Sequence, residues 1–217
     1  MLHKKTLEFL KSLKKNNNRE WFSENKDWYE TSRLDFENLV KDLQIGLSEL
    51  DITIKYLNPK KCIFRIYRDI RFSPDKTPYK NYMSAVFSEI KNSGYYLHIE
   101  PGKSFLTCGH YMLPPEQIKK IRKGIYDDFE SFREIVENKN FIKEFGGITK
   151  DETILKRVPN GFDKEHPSSE YLKFKNFYVT KSITDQQVLD THFVTLAVSV
   201  YTNMQPFNDY INNLILD

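Results

Sequence analysis

Three arginines, Arg65, Arg68 and Arg71, recur at three-residue spacing in a stretch that begins with Lys60-Lys61 and ends with Lys76 and Lys80. A guanidinium grips a phosphate or carboxylate through two parallel hydrogen bonds, and a lysine adds point charge. From residue 60 to residue 80, seven basic residues stand against two acidic ones, Asp69 and Asp75, whereas the whole chain carries a net charge of only +3. Charge concentrated in this way suits the holding of an anion. Pro74 and Pro78 stiffen the loop, and Lys156 with Arg157, ahead of Pro159 and Gly161, offers two further cations. A purely structural arrangement competes with the site: Arg68 paired with Asp69 or Asp75, Arg65 with Glu100 across a sheet, and Arg71 solvated.

Groups able to move protons lie further along. His98 and Glu100 are two apart on a strand-like run, so both side chains face one side, where a carboxylate lifts an imidazole's pKa toward neutrality. Tyr67 is the third candidate proton-transfer residue, and Tyr79, Tyr96 and Tyr111 supply further ring hydroxyls to a ligand-binding set of Arg65, Arg68, Arg71, Lys76, Lys80, Lys156 and Arg157. No metal site is expected, because His98 and Glu100 lack a third ligand and His110 falls on the apolar face. The nucleophile elbow, the Gly-rich phosphate loop, the dinucleotide fingerprint and the His-Glu-x-x-His zinc motif are all missing, and no cofactor is indicated.

These residues need elements to hold them. Leu7, Leu10 and Leu13 mark a helix over 4–14, Asn17 with Glu20 has capping-box spacing, and a long helical period runs from Trp21 to Leu50. The period then changes to two, and strands are predicted over 61–68, 82–90, 95–100, 104–112 and 177–183. In the first strand Cys62, Phe64 and Ile66 face the core and Arg65 and Tyr67 face away. In the hairpin Leu97, Ile99, Leu106 and Cys108 form the apolar face, opposite Tyr96, His98, Glu100, Thr107 and Tyr111. Helices are predicted over 116–126, over 128–145 ending at Gly146-Gly147, near 168–174, and after a capping pattern at Thr184 and Gln187. The sum is an α+β fold: a mostly antiparallel sheet of about five strands packed against N-terminal and C-terminal helices, in a single domain over 1–217.

Composition agrees. Of 217 residues, 39% are hydrophobic and 29% charged, the balance of a globular chain with a core of ordinary size. The opening residues lack the apolar stretch of a secretory signal, and no apolar run reaches the roughly 20 residues that span a bilayer, so no membrane partner is expected. Cys62 and Cys108 read as free buried thiols, hence a cytoplasmic setting.

Several motifs together resemble one family. They are Asn16-Asn-Asn-Arg-Glu-Trp-Phe22, Phe64-Arg-Ile-Tyr-Arg-Asp69, Arg71-Phe-Ser-Pro-Asp-Lys-Thr-Pro-Tyr-Lys80, Gly94-Tyr-Tyr-Leu-His-Ile-Glu100, Lys156-Arg-Val-Pro159 and Gly161-Phe-Asp-Lys-Glu-His-Pro167. The chain is similar, over essentially its whole length, to the bacterial and fungal family catalogued as domain of unknown function 2461. The resemblance implies one intracellular domain and brings no activity, substrate or catalytic residue with it. From the residues themselves, the leading expectation is a basic, tyrosine-rich pocket for an anionic, phosphate-bearing small molecule, with catalysis open. The alternatives are a nucleic-acid-binding module, with Phe72, Tyr79 or Tyr82 stacking on bases, and a scaffold without a small ligand.

Overall fold

A computed structural model describes residues 1–88 and 90–216. Three helices open the chain, α1 Lys4–Lys15, α2 Arg19–Glu24 and α3 Lys26–Leu47, and a single turn, α4 Pro59–Cys62, precedes the basic stretch. The strands β1 Met83–Phe87, β2 Ser93–Ile99 and β3 Ser104–His110 follow. Next come α5 Pro115–Asp127, α6 Phe129–Val136, α7 Lys139–Phe145, β4 Phe177–Ile183, α8 Asp185–Val188 and α9 Phe193–Leu216. The strands form one antiparallel sheet in the order β1-β2-β3-β4. The fold is therefore α+β, with four strands among the described residues rather than about five.

The missing strand is the one predicted over 61–68. Pro59 is already set for a first helical turn and the Asn58 carboxamide accepts from Lys60 N at 3.0 Å, so the chain coils through Cys62 before it extends. Beyond that turn only isolated bridges form, Ile63 to Ala85 and Tyr67 to Tyr79. Residues 63–80 make a narrow antiparallel arm, closed by Arg68 N to Pro78 O at 2.9 Å and Lys80 N to Ile66 O at 2.8 Å. Cys62 and Ile66 are buried as predicted, but Phe64, whose N–H bonds to Ser84 O of β1 at 2.9 Å, is 47% exposed. The strand predicted over 82–90 forms as Met83–Phe87; its residue Glu89 lies outside the described residues.

The chain divides into two compact units. The first comprises Met1–Glu89, Tyr96–Leu106 and Ser182–Ser199, and the second Ile90–Tyr95, Thr107–Lys181 and Val200–Asp217. In the first, α1 packs on α3, burying Phe9, Leu10 and Leu13 with Phe36, Leu39, Val40 and Leu43. Each such side chain contributes about 1.5–3 kcal/mol when fully buried. The helix predicted from Trp21 is interrupted at Asn25, whose backbone leaves the helical region at φ −106° and ψ 23° while Trp21 O accepts both its N–H at 3.0 Å and its carboxamide at 2.8 Å. The cap of α2 is Asn18, which accepts from Trp21 N at 2.8 Å, and not Asn17. Asn17 instead clasps the arm, donating to Tyr79 O at 2.9 Å and accepting from Tyr79 N at 3.1 Å.

The second unit buries polar groups of its own, among them His110, Asn176 and Asn208. The helix predicted over 128–145 is two helices, since Asn138 caps α7 by accepting from Asn140 N at 2.9 Å; α7 ends at Gly146 with φ +73°. His110 is buried, its Nε2 lying 2.9 Å from Asn212 Oδ1 and 3.1 Å from Ser93 Oγ. Burial pulls the His110 pKa down to about 4. Beside it Gly109 has φ +137°, and a Cβ there would stand 2.3 Å from Phe177 O, so β3 and β4 approach only because the side chain is absent.

Candidate functional site

The arm holds its cations in two different ways. At its tip the charged groups bond to one another. Arg68 is paired with Asp75 and donates to Thr77 Oγ1 at 2.7 Å and Ser73 Oγ at 3.4 Å. Arg71 grips Asp69 with Nε at 3.0 Å and Nη2 at 2.7 Å, and Lys76 Nζ donates to Ile70 O at 2.8 Å. Asp69 and Asp75 are each held down at about 2, Asp69 by the Arg71 side chain and Asp75 by the Thr77 amide and then Arg68. The structural pairing weighed in the sequence thus holds for Arg68, and Arg71 is paired rather than solvated.

At the base the pairing stops. Neither Arg65 nor Lys80 makes a close ion pair among the described residues, although the charge of Arg65 helps to lower the Asp69 pKa, and Arg65 does not reach Glu100. The Lys80 ammonium lies 5.4 Å from the Phe64 ring centroid and 5.8 Å from that of Tyr82. Partial burial, and then the positive charge of Arg65, lower its pKa. Two cations are held close enough to repel, with two rings beside the ammonium and Asp69, already gripped by Arg71, on the same concavity.

Tyr82 joins two concavities at this base. One, of about 240 Å³, is lined by Tyr29, Arg33, Glu37, Lys60, Phe64 and Arg65 among others, and the second, of about 290 Å³, by Arg68, Asp69, Lys80 and Asn81; Tyr82 lines both. Arg33 is tied to Glu30 and Glu37 to Lys41, whereas Lys60 makes no ion pair among the described residues. A larger cavity of about 660 Å³ lies within the second unit, but Lys181 and Asn203 there bond to Glu144, and Glu134 and Lys143 balance in charge. It carries no excess of either sign.

His98 and Glu100 do meet, Nε2 to Oε2 at 3.4 Å, and the hydroxyl at Nδ1 is that of Tyr96, at 3.2 Å, rather than Tyr67. The imidazole is buried between Tyr82 and Phe105, with ring centroids 4.3 and 4.5 Å away. Its pKa is lowered and not raised, since desolvation outweighs the Glu100 carboxylate. Glu100 also accepts from Asn81 Nδ2 at 2.9 Å and lies 3.6 Å from Lys14 Nζ. Tyr79 is stacked on Phe22 at 3.9 Å and buried, while Tyr67 is half exposed at 5.4 Å from the Tyr79 ring.

Tyr111, Lys156 and Arg157 belong to the second unit. Tyr29, Lys60, Asn81 and Tyr82, outside the ligand-binding set expected from the sequence although Lys60 counted among its cations and Tyr82 among its base-stacking rings, line the concavities. The signal for Tyr82 lay in its position two residues past Lys80; Tyr29 carried none, sitting in an ordinary helical period. Among the described residues no cluster of His, Cys, Asp and Glu is arranged to hold a metal, and no helix is long and apolar enough to cross a membrane.

An α+β chain with a basic arm is thus the class that fold and geometry define. A family model described as a conserved hypothetical protein, domain of unknown function 2461, matches residues 5–210, and the chain belongs to that family. No curated protein and no solved structure matches it.

Proposed function

We propose that this protein binds a phosphate-bearing anion at the base of the arm, between Arg65 and Lys80. The observation that carries the reading is that these two cations stand together with no close ion pair among the described residues, while their neighbours at the tip are all partnered. An anion between them relieves their repulsion and gains charge-assisted hydrogen bonds, each contributing about 1.5–3 kcal/mol. Asn81 and the Tyr82 hydroxyl, bordering the same concavities, supply neutral donors, and Lys60 extends the positive field. Both ring nitrogens of His98 are occupied, so we read His98 and Glu100 as the support that orients Tyr82 and Asn81, not as an acid–base centre open to a ligand.

The test is thermal unfolding of the full chain with inorganic pyrophosphate. A saturating anion raises Tm by mass action, about 2.7 kcal/mol of stabilisation at a hundredfold excess over Kd. Arg65→Ala and Lys80→Ala each cut that rise to about half without lowering Tm in its absence. A wild-type Tm indifferent to pyrophosphate would overturn the proposal.

We propose in addition that residues 1–217 fold as one domain in a reducing, cytoplasmic setting. Four of the five passages from one unit to the other, at 95–96, 106–107, 181–182 and 199–200, fall inside β2, β3, β4 and α9. Cys62 and Cys108 are both free and buried, and burial raises both thiol pKa values. A single calorimetric transition supports one domain; two resolved transitions refute it.

A further inference from the structure

Phe72, at the tip of the arm, is 94% exposed. A phenylalanine left in water forgoes about 1.5–3 kcal/mol of burial, and here the ring is presented by an ordered loop. Arg68 ties Asp75, Thr77 and Ser73, Asp75 Oδ1 accepts from Thr77 N at 2.9 Å, and Lys76 closes on Ile70 O. The ordering that a binding loop ordinarily loses entropy to achieve is already in place before a partner arrives. Along the same arm Tyr67 and Phe64 are also about half exposed, at 52% and 47%. Cations sit beside the rings: Arg71 Cζ is 5.9 Å from the Phe72 centroid and Lys80 Nζ 5.4 Å from that of Phe64.

We infer that the arm is a platform for single-stranded nucleic acid, with Phe72 stacking on an unpaired base and the Arg65–Lys80 pair taking a backbone phosphate. The inference rests on the anion reading above and names the class of that anion. Rings alternating with cations, in the order Phe64, Arg65, Tyr67, Arg71, Phe72, are the parts of a sequence-tolerant single-strand site, because every base has a π-face and every linkage a phosphate. A duplex keeps its bases stacked inside and offers Phe72 no face. An anionic lipid surface fits less well, because the ring's own loop carries the carboxylates Asp69 and Asp75, which balance Arg71 and Arg68 where insertion would occur. The cations with no close ion pair among the described residues stand instead at the base of the arm, as a strand threading from tip to base requires.

The experiment is fluorescence anisotropy of the full chain with a labelled oligothymidylate and an oligouridylate, each of about 12 nucleotides, within the range of single-strand site sizes, at about 50 mM salt. Binding is expected, weakening as salt rises, with the matching duplex held at least about tenfold more weakly. Phe72→Ala is expected to weaken oligonucleotide binding about tenfold, equivalent to the stacking of one base, and to leave the pyrophosphate-induced thermal shift unchanged. Arg65→Ala is expected to reduce both. If pyrophosphate stabilises the protein but neither oligonucleotide binds, or if Phe72→Ala binds as wild type does, the nucleic-acid inference fails and the anion site stands. If pyrophosphate has no effect either, both readings fail. Capture by phosphatidylserine vesicles through Phe72, without oligonucleotide binding, also overturns the inference.

Discussion

The tip and the base of one short arm use the same kinds of residue for opposite ends. At the tip Arg68, Arg71 and Lys76 each find an oxygen within their own loop, whereas at the base Arg65 and Lys80 face each other and aromatic rings. Positive charge alone therefore does not mark a binding group. A cation whose hydrogen-bonding capacity is consumed in folding a loop has little left for a ligand, and one left without a partner has all of it.

The contrast is broken most severely at Arg68. Its half-shielded guanidinium joins three side chains, so Arg68→Ala should release the tip, and trypsin should then cut after Arg71 and Lys76 faster by an order of magnitude or more, as local opening becomes easier. Unchanged cleavage would mean that the pairs do not hold the loop. Next in size are Arg65→Ala and Lys80→Ala, each expected to weaken pyrophosphate binding roughly tenfold, by the loss of a charge-assisted hydrogen bond, with Tm unchanged or slightly raised once the repulsion is gone.

The pH dependence separates binding from folding. Lys80 has a lowered pKa, so anion affinity should fall as pH rises toward a value below that of an ordinary lysine, and isothermal titration over an alkaline series reads this directly. Fold stability should fail at the other end. The folded pKa of His110 is depressed to about 4, so the unfolded chain binds the proton first; its contribution is complete above about 6.5 and is lost as pH falls toward 4. Denaturant titrations between those values should show the loss, and His110→Gln should flatten it. The smallest effect belongs to Arg71→Ala: an exposed ion pair contributes little, so Tm and pyrophosphate affinity should both remain at wild-type values.

Much of the frame was legible because it rests on local periodicity and local caps. The strand over 177–183, the buried faces of Leu97, Ile99, Leu106 and Cys108, the αL residue Gly146 and the Thr184–Gln187 capping box all follow from neighbours within a few residues. The arm did not. Alternation from Cys62 to Arg68 resembles a strand, but a strand is defined by what pairs with it, and only isolated bridges form there. Asn17 departs from its capping-box spacing for a related reason: its carboxamide bonds to Tyr79, a partner far along the chain, in place of its own helix.

By itself the sequence determined that five units of excess positive charge would gather between Lys60 and Lys80, among rings, on an α+β chain. Only the tertiary structure decided which of those charges are already answered. Pairing depends on distances of a few ångströms between groups brought together by the arm's closure, and residue order sets the supply of charge without fixing those distances. That selection separates Arg65 and Lys80 from Arg68, Arg71 and Lys76, and it leaves Phe72 standing in water at the end of a loop built to hold it there.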